Sequence, residues 1–69
     1  MKKIKISTHP YYSTFTGEIN SLYIVELDGI EIDTFTTLQE AKNIAKGVAI
    51  GLKICGNKVS IINEVPINL

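Results

Sequence analysis

Asp28-Gly29 stands between two β-branched-rich runs, 22–27 and 30–35. Nothing else in the chain restricts its fold as tightly. Asp-Gly is a favoured pair for a two-residue type I′ turn, whose twist matches that of the strands it joins. Such a turn fixes the pairing: Leu27 opposite Ile30, Glu26 opposite Glu31, Val25 opposite Ile32 and Tyr23 opposite Thr34. Tyr23, Val25, Leu27, Ile30 and Ile32 then form one apolar face, expected to lie against a helix. Leu22, Ile24 and Phe35 share the other face with Glu26, Glu31 and Asp33. Side chains alternate with a period of two, so a one-residue slip would exchange these faces. Glu26 against Glu31 is a like-charge pair that costs about 0.2–1 kcal/mol.

The remaining elements arrange themselves around this hairpin. Ile4 and Ile6 alternate with Lys3, Lys5 and Ser7, a strand pattern with one polar face. Pro10, Gly17 and Asn20 point to a long loop over residues 8–20. Thr37-Leu38-Gln39-Glu40 is a capping box with Thr37 as N-cap. Beyond it Leu38, Ala41, Ala45, Val48, Leu52 and Cys55 recur at helical spacing with Ile44 alongside, which predicts an amphipathic helix ended by Gly56-Asn57. Residues 58–63 alternate again as a last strand, and Pro66 closes regular structure before a short tail over 67–69. The chain reads as a single α+β domain spanning residues 1–69, of order β-β-β-α-β. A mainly antiparallel sheet with one helix across one face is expected.

Composition narrows the function classes. Seven lysines and no arginine against seven Asp and Glu leave a formal net charge of zero. A strongly basic nucleic-acid-wrapping protein and an acidic DNA mimic are both excluded on that ground. One cysteine, Cys55, allows no intramolecular disulfide and no multi-cysteine metal site, and fits a reducing cytosol. No apolar run is long enough for a membrane span, and Met1-Lys2-Lys3 leads into alternation rather than a signal-peptide core. A cytoplasmic protein is expected. His9 is the only histidine, and no Ser/His/Asp spacing, HExxH, P-loop or GxGxxG accompanies it. No catalytic residue, metal, cofactor or small-molecule substrate is expected, and Cys55 reads as a small core hydrophobe.

Three surfaces instead look built for contact. Six of the seven acids lie between residues 18 and 40, where there is no lysine. Glu26, Glu31 and Asp33 on the hairpin could therefore attract a basic partner, unless Lys3 and Lys5 on a neighbouring strand neutralise them. Tyr11, Tyr12 and Phe15 crowd the first loop, where aromatic area binds at low entropic cost. On the helix, Ile50 and Ile54 fall opposite the core stripe beside Gly47 and Gly51, an apolar strip suited to self-association across a two-fold axis. Lys42, Lys46 and Lys53 make a basic stripe on the same helix.

In size and strand-helix plan the chain is similar to small phage-encoded inhibitors of host machinery, anti-CRISPR proteins among them. That architectural resemblance implies stoichiometric inhibition of a nucleic-acid-handling complex by surface occlusion. The leading expectation is a non-catalytic protein-binding module whose partner is a larger protein or protein–nucleic-acid complex with a basic surface. Two alternatives stand beside it. One is a nucleic-acid-binding module using the aromatic loop and the helix lysines, and the other is an assembly subunit that forms a homodimer through Ile50 and Ile54.

Overall fold

The computed structural model describes residues 1–66, so the tail expected over 67–69 lies outside the described residues. Five elements follow in order: β1 (Lys2–Tyr12), β2 (Ile19–Leu27), β3 (Ile30–Phe35), α1 (Leu38–Ile54) and β4 (Val59–Asn63). The strands form one mixed sheet in the order β3-β2-β1-β4, and α1 packs on one face of it. β1–β2 and β2–β3 are antiparallel and β1–β4 is parallel. This is the expected small α+β fold.

β1 pairs on both sides, and its alternation decides which residue serves which neighbour. The Lys2 amide donates to the Lys58 carbonyl at 2.8 Å, and the Glu64 amide donates to the Ile6 carbonyl at 2.8 Å. On the opposite side the Lys3 carbonyl accepts from the Asp28 amide at 2.8 Å. Even-numbered backbone groups of β1 therefore aim at β4, and odd-numbered ones aim at β2. β4 pairs only with residues 2–6 of β1.

This phase overturns the expected loop over residues 8–20. β1 runs to Tyr12 and β2 begins at Ile19, with Pro10 paired opposite Ser21 in mid-strand. Proline is tolerated because its nitrogen points to the β4 side, where β4 has already ended, so no ladder bond is lost. Only residues 13–18 form the connection, closed by Ser13 N–H to the Glu18 carbonyl at 2.9 Å. Gly17, at φ +70°, supplies the left-handed residue it needs.

The hairpin turn falls where the sequence puts it, with Leu27 opposite Ile30 and Glu26 opposite Glu31. A β-bulge at Val25/Glu26 then shifts the register by one. Val25 lies opposite Asp33 and Tyr23 opposite Phe35, not opposite Ile32 and Thr34 as expected. Ile32 is the extra residue, and a bulge leaves such a residue unpaired. The shift brings Phe35 against the core in place of Thr34, while Ile30 and Ile32 are exposed. Asp33, expected to point away, stands in register with buried Val25. It stays exposed at the sheet edge, with its Oδ1 accepting from the Thr34 amide at 2.8 Å.

Thr37 caps α1 as the sequence requires. Its hydroxyl oxygen accepts from the Glu40 amide at 3.2 Å and its O–H donates to Glu40 Oε1 at 2.8 Å. The expected return bond from the Glu40 carboxylate thus meets the threonine hydroxyl rather than its backbone N–H. Ala41, Ala45 and Ala49 sit at spacing four and are buried, which lets the helix approach the sheet closely over Ile4, Ile6 and Val25. Leu38, Val48 and Leu52 flank that stripe, whereas Ile44 is exposed. Gly56 N–H reaches the Lys53 carbonyl at 2.9 Å and Asn57 N–H the Leu52 carbonyl at 3.0 Å, the paired bonds of a Schellman stop, with Gly56 at φ +88°. Cys55 is the cap residue just before that turn and is exposed, not on the core face as expected.

Among the described residues, the fully buried large side chains are Ile4, Ile6 and Val25. Ile6→Ala is expected to destabilise by about 2–5 kcal/mol, the range for deleting a packed isoleucine. Ile30→Ala, on the exposed end of the hairpin, should cost less than about 1 kcal/mol. Urea unfolding followed by circular dichroism separates the two. Similar losses would mean that Ile30 is buried after all.

Candidate interaction site

The expected acidic face divides into neutralised and unpaired carboxylates. Lys5 lies opposite Glu26 across the β1–β2 ladder, and their charged groups are 3.6 Å apart. Lys2 Nζ stands 3.6 Å from Asp28 Oδ2. Asp28 also accepts a hydrogen bond from the Lys3 backbone N–H at 2.8 Å. The chain turns away at Asp28, with φ +50°, so its side chain replaces the carbonyl that would otherwise continue the ladder. That backbone donor, joined by the nearby Lys2 charge, holds the Asp28 carboxyl below its ordinary range. Glu31 and Asp33 make no ion pair among the described residues and are exposed on the β3 edge.

The aromatic residues are presented by a ribbon rather than a loop. β3 reaches β2 only as far as Tyr23, and β4 reaches β1 only as far as Ile6. Residues 9–12 and 19–22 therefore form a two-stranded arm beyond the sheet body, about 13 Å long at ~3.4 Å per residue. The extents of the molecule, 46 × 25 × 18 Å, reflect this arm. Its radius of gyration is 13.5 Å, where a compact chain of this length would have about 11 Å. Phe15 at the tip is 99% exposed and Tyr12 is 65% exposed, with Tyr11 and Ile19 also open to solvent. A Cβ at Gly17 would stand 3.9 Å from the Tyr12 hydroxyl oxygen, so that ring lies along the tip.

The third surface is as expected in its exposure. Ile50 and Ile54 project from α1, Ile54 with 80% of its surface open, and Gly47 and Gly51 have nothing within 4 Å of where a Cβ would be. Lys46 and Lys53 are exposed and Lys42 half-buried. His9 is exposed on β1 opposite Leu22.

The structure does not bring these surfaces together. The aromatic tip and the Asp28-Gly29 turn lie at opposite ends of β2, a nine-residue strand and so nearly 30 Å apart. Among the described residues no pocket is present, and no three His, Cys, Asp or Glu side chains are grouped to hold a metal ion. No helix among them is long and apolar enough to cross a membrane. Sequence reasoning missed the arm itself, although Tyr11, Ser13, Glu18 and Asn20 keep the register that Ile4 and Leu27 begin. Comparison with protein-family models, curated proteins and solved structures gives no match.

Two outcomes follow from this geometry. The Asp28 carboxyl has its folded-state pKa lowered, so its stabilisation is complete above the unfolded value and is lost as pH falls through the folded one. Asp28→Asn keeps an acceptor for Lys3 and tolerates positive φ but removes the charge. It should therefore lower stability at neutral pH, match the unmodified chain at low pH and flatten the acid limb between them. Acid unfolding monitored at the Lys3 amide by NMR reads this directly. In the helix, Gly47→Ala with Gly51→Ala should raise stability by about 1–2 kcal/mol in total, because each glycine costs about 1 kcal/mol and neither new methyl meets a neighbour. Thermal unfolding checks the gain.

Proposed function

We propose that the chain is a small cytosolic protein-binding module, without catalysis of its own, that acts by occupying a surface of a larger partner. The observation that carries this reading is the two-stranded arm with Tyr12 and Phe15 exposed at its end. Tyr12 stands on the paired ribbon and Phe15 on the turn that closes it, and large aromatic side chains of this kind account for much of the affinity at protein interfaces. Glu31 and Asp33, left without lysine partners on the β3 edge, favour a basic partner surface and speed its approach. Glu26 has a lesser role in this reading, since Lys5 already faces it. The resemblance in size and plan to phage-encoded inhibitors makes a host protein–nucleic-acid complex the class of target that this proposal favours.

A nucleic-acid reading also draws on the arm, because exposed rings can stack on bases and Lys42, Lys46 and Lys53 could meet phosphates. Zero net charge and the lack of arginine weigh against it.

Affinity capture from the native host, followed by binding kinetics with three double variants, decides between them. Tyr12→Ala with Phe15→Ala should weaken partner binding at least about 30-fold, as loss of a hot spot does. Glu31→Lys with Asp33→Lys should slow association, with the deficit shrinking at high salt as charges are screened over about 8 Å. Lys42→Glu with Lys46→Glu should change little. Loss of binding in the lysine variant alone would overturn the protein-binding reading in favour of nucleic acid.

A further inference from the structure

The two edges of the sheet are built differently. β3 carries a bulge, Glu31 and Asp33, features that discourage another strand from adding to it. β4, Val59-Ser60-Ile61-Ile62-Asn63, has neither charge nor proline nor bulge. Ile61 is 45% exposed and Ile62 is exposed beside it.

We propose that β4 pairs with β4 of a second copy of this chain, antiparallel and centred on Ile61, to give one continuous eight-stranded sheet. The hydrogen-bond phase supports this occupant. Lys58 and Glu64 direct their backbone groups to β1, at 2.8 Å in each case, so the even-numbered groups between them are used inward. The N–H and C=O of Val59, Ile61 and Asn63 therefore face outward. These three positions are symmetric about Ile61. A two-fold axis there pairs Ile61 with Ile61 and Val59 with Asn63 in hydrogen-bonded pairs, so that all six outward groups of each strand find a partner.

Charge supports the same register. Lys58 and Glu64 bracket the neutral strand, and neither forms an ion pair among the described residues. In an antiparallel pair centred on Ile61, Lys58 of each copy lies opposite Glu64 of the other, giving two opposite-charge pairs. A parallel arrangement, or a shift by one residue, loses this match. The axis stands perpendicular to the sheet, so both helices lie on the same side and the two Ile61 side chains cover each other. The helix strip at Ile50 and Ile54 has no comparable complementarity and is not part of this interface.

Sedimentation equilibrium of the full chain over about 10–500 μM tests the proposal, since association depends on protomer concentration. The unmodified chain should reach twice its 7.6 kDa monomer mass. Ile61→Pro removes an outward N–H and no bond to β1, so it should give a monomer with an unchanged circular dichroism spectrum. Should that variant unfold, charge reversal still decides. Lys58→Glu should shift the chain to monomer, and Lys58→Glu with Glu64→Lys should restore the dimer. Ile50→Lys should leave the dimer intact. A monomer throughout the range overturns the proposal. So does a dimer that survives Lys58→Glu, or one that Ile50→Lys abolishes.

Discussion

β1 hydrogen-bonds in two directions, and every other element takes its place from that division. Its odd-numbered amides and carbonyls hold β2, and its even-numbered ones hold β4 over the first half of the strand. The same alternation sends Ile4 and Ile6 to the helix side and Lys3 and Lys5 to the other. Where β4 ends, the even-numbered groups are no longer needed. Pro10 occupies that stretch without penalty, and the strand continues outward as half of the arm.

The turns and caps were the parts of the fold most legible in the sequence, because each depends on a few adjacent residues. Asp28-Gly29, Thr37 with Glu40, and Gly56 all stand where local chemistry puts them. The bulge was not legible, because it arises from competition between Thr34 and Phe35 for one place against the helix. Burying the larger apolar side chain outweighs an unbroken ladder. The reading of residues 8–20 as a loop failed for a related reason. Proline disrupts a central strand but not an edge, and which strand is an edge depends on the whole sheet order. Cys55 was misplaced because the helical period was extended one residue past the last helical turn.

The candidate surfaces were legible as residues and not as shapes. Composition marks the acids between 18 and 40, yet only register shows that Lys5 faces Glu26 and that Lys2 meets Asp28. The crowding of Tyr11, Tyr12 and Phe15 is plain in the sequence, but their placement along and at the end of an arm comes from backbone pairs between β1 and β2. The exposure of Ile50 and Ile54 followed from helical geometry alone. The contrast between the β3 and β4 edges belongs to topology, since both strands read as ordinary alternating segments.

The alanine stripe on α1 has a thermal consequence. A helix that meets its sheet through Ala41, Ala45 and Ala49 removes little apolar surface from water, and the folded chain keeps 5078 Å² accessible, above the ~4300 Å² usual for a monomer of this mass. Enthalpy and heat capacity of unfolding both scale with the surface newly exposed. The melting of this domain should therefore be broad, with a shallow stability curve over temperature. Its arm, held by one ladder and no core, should give up amide protection below the midpoint at which the helix leaves the sheet.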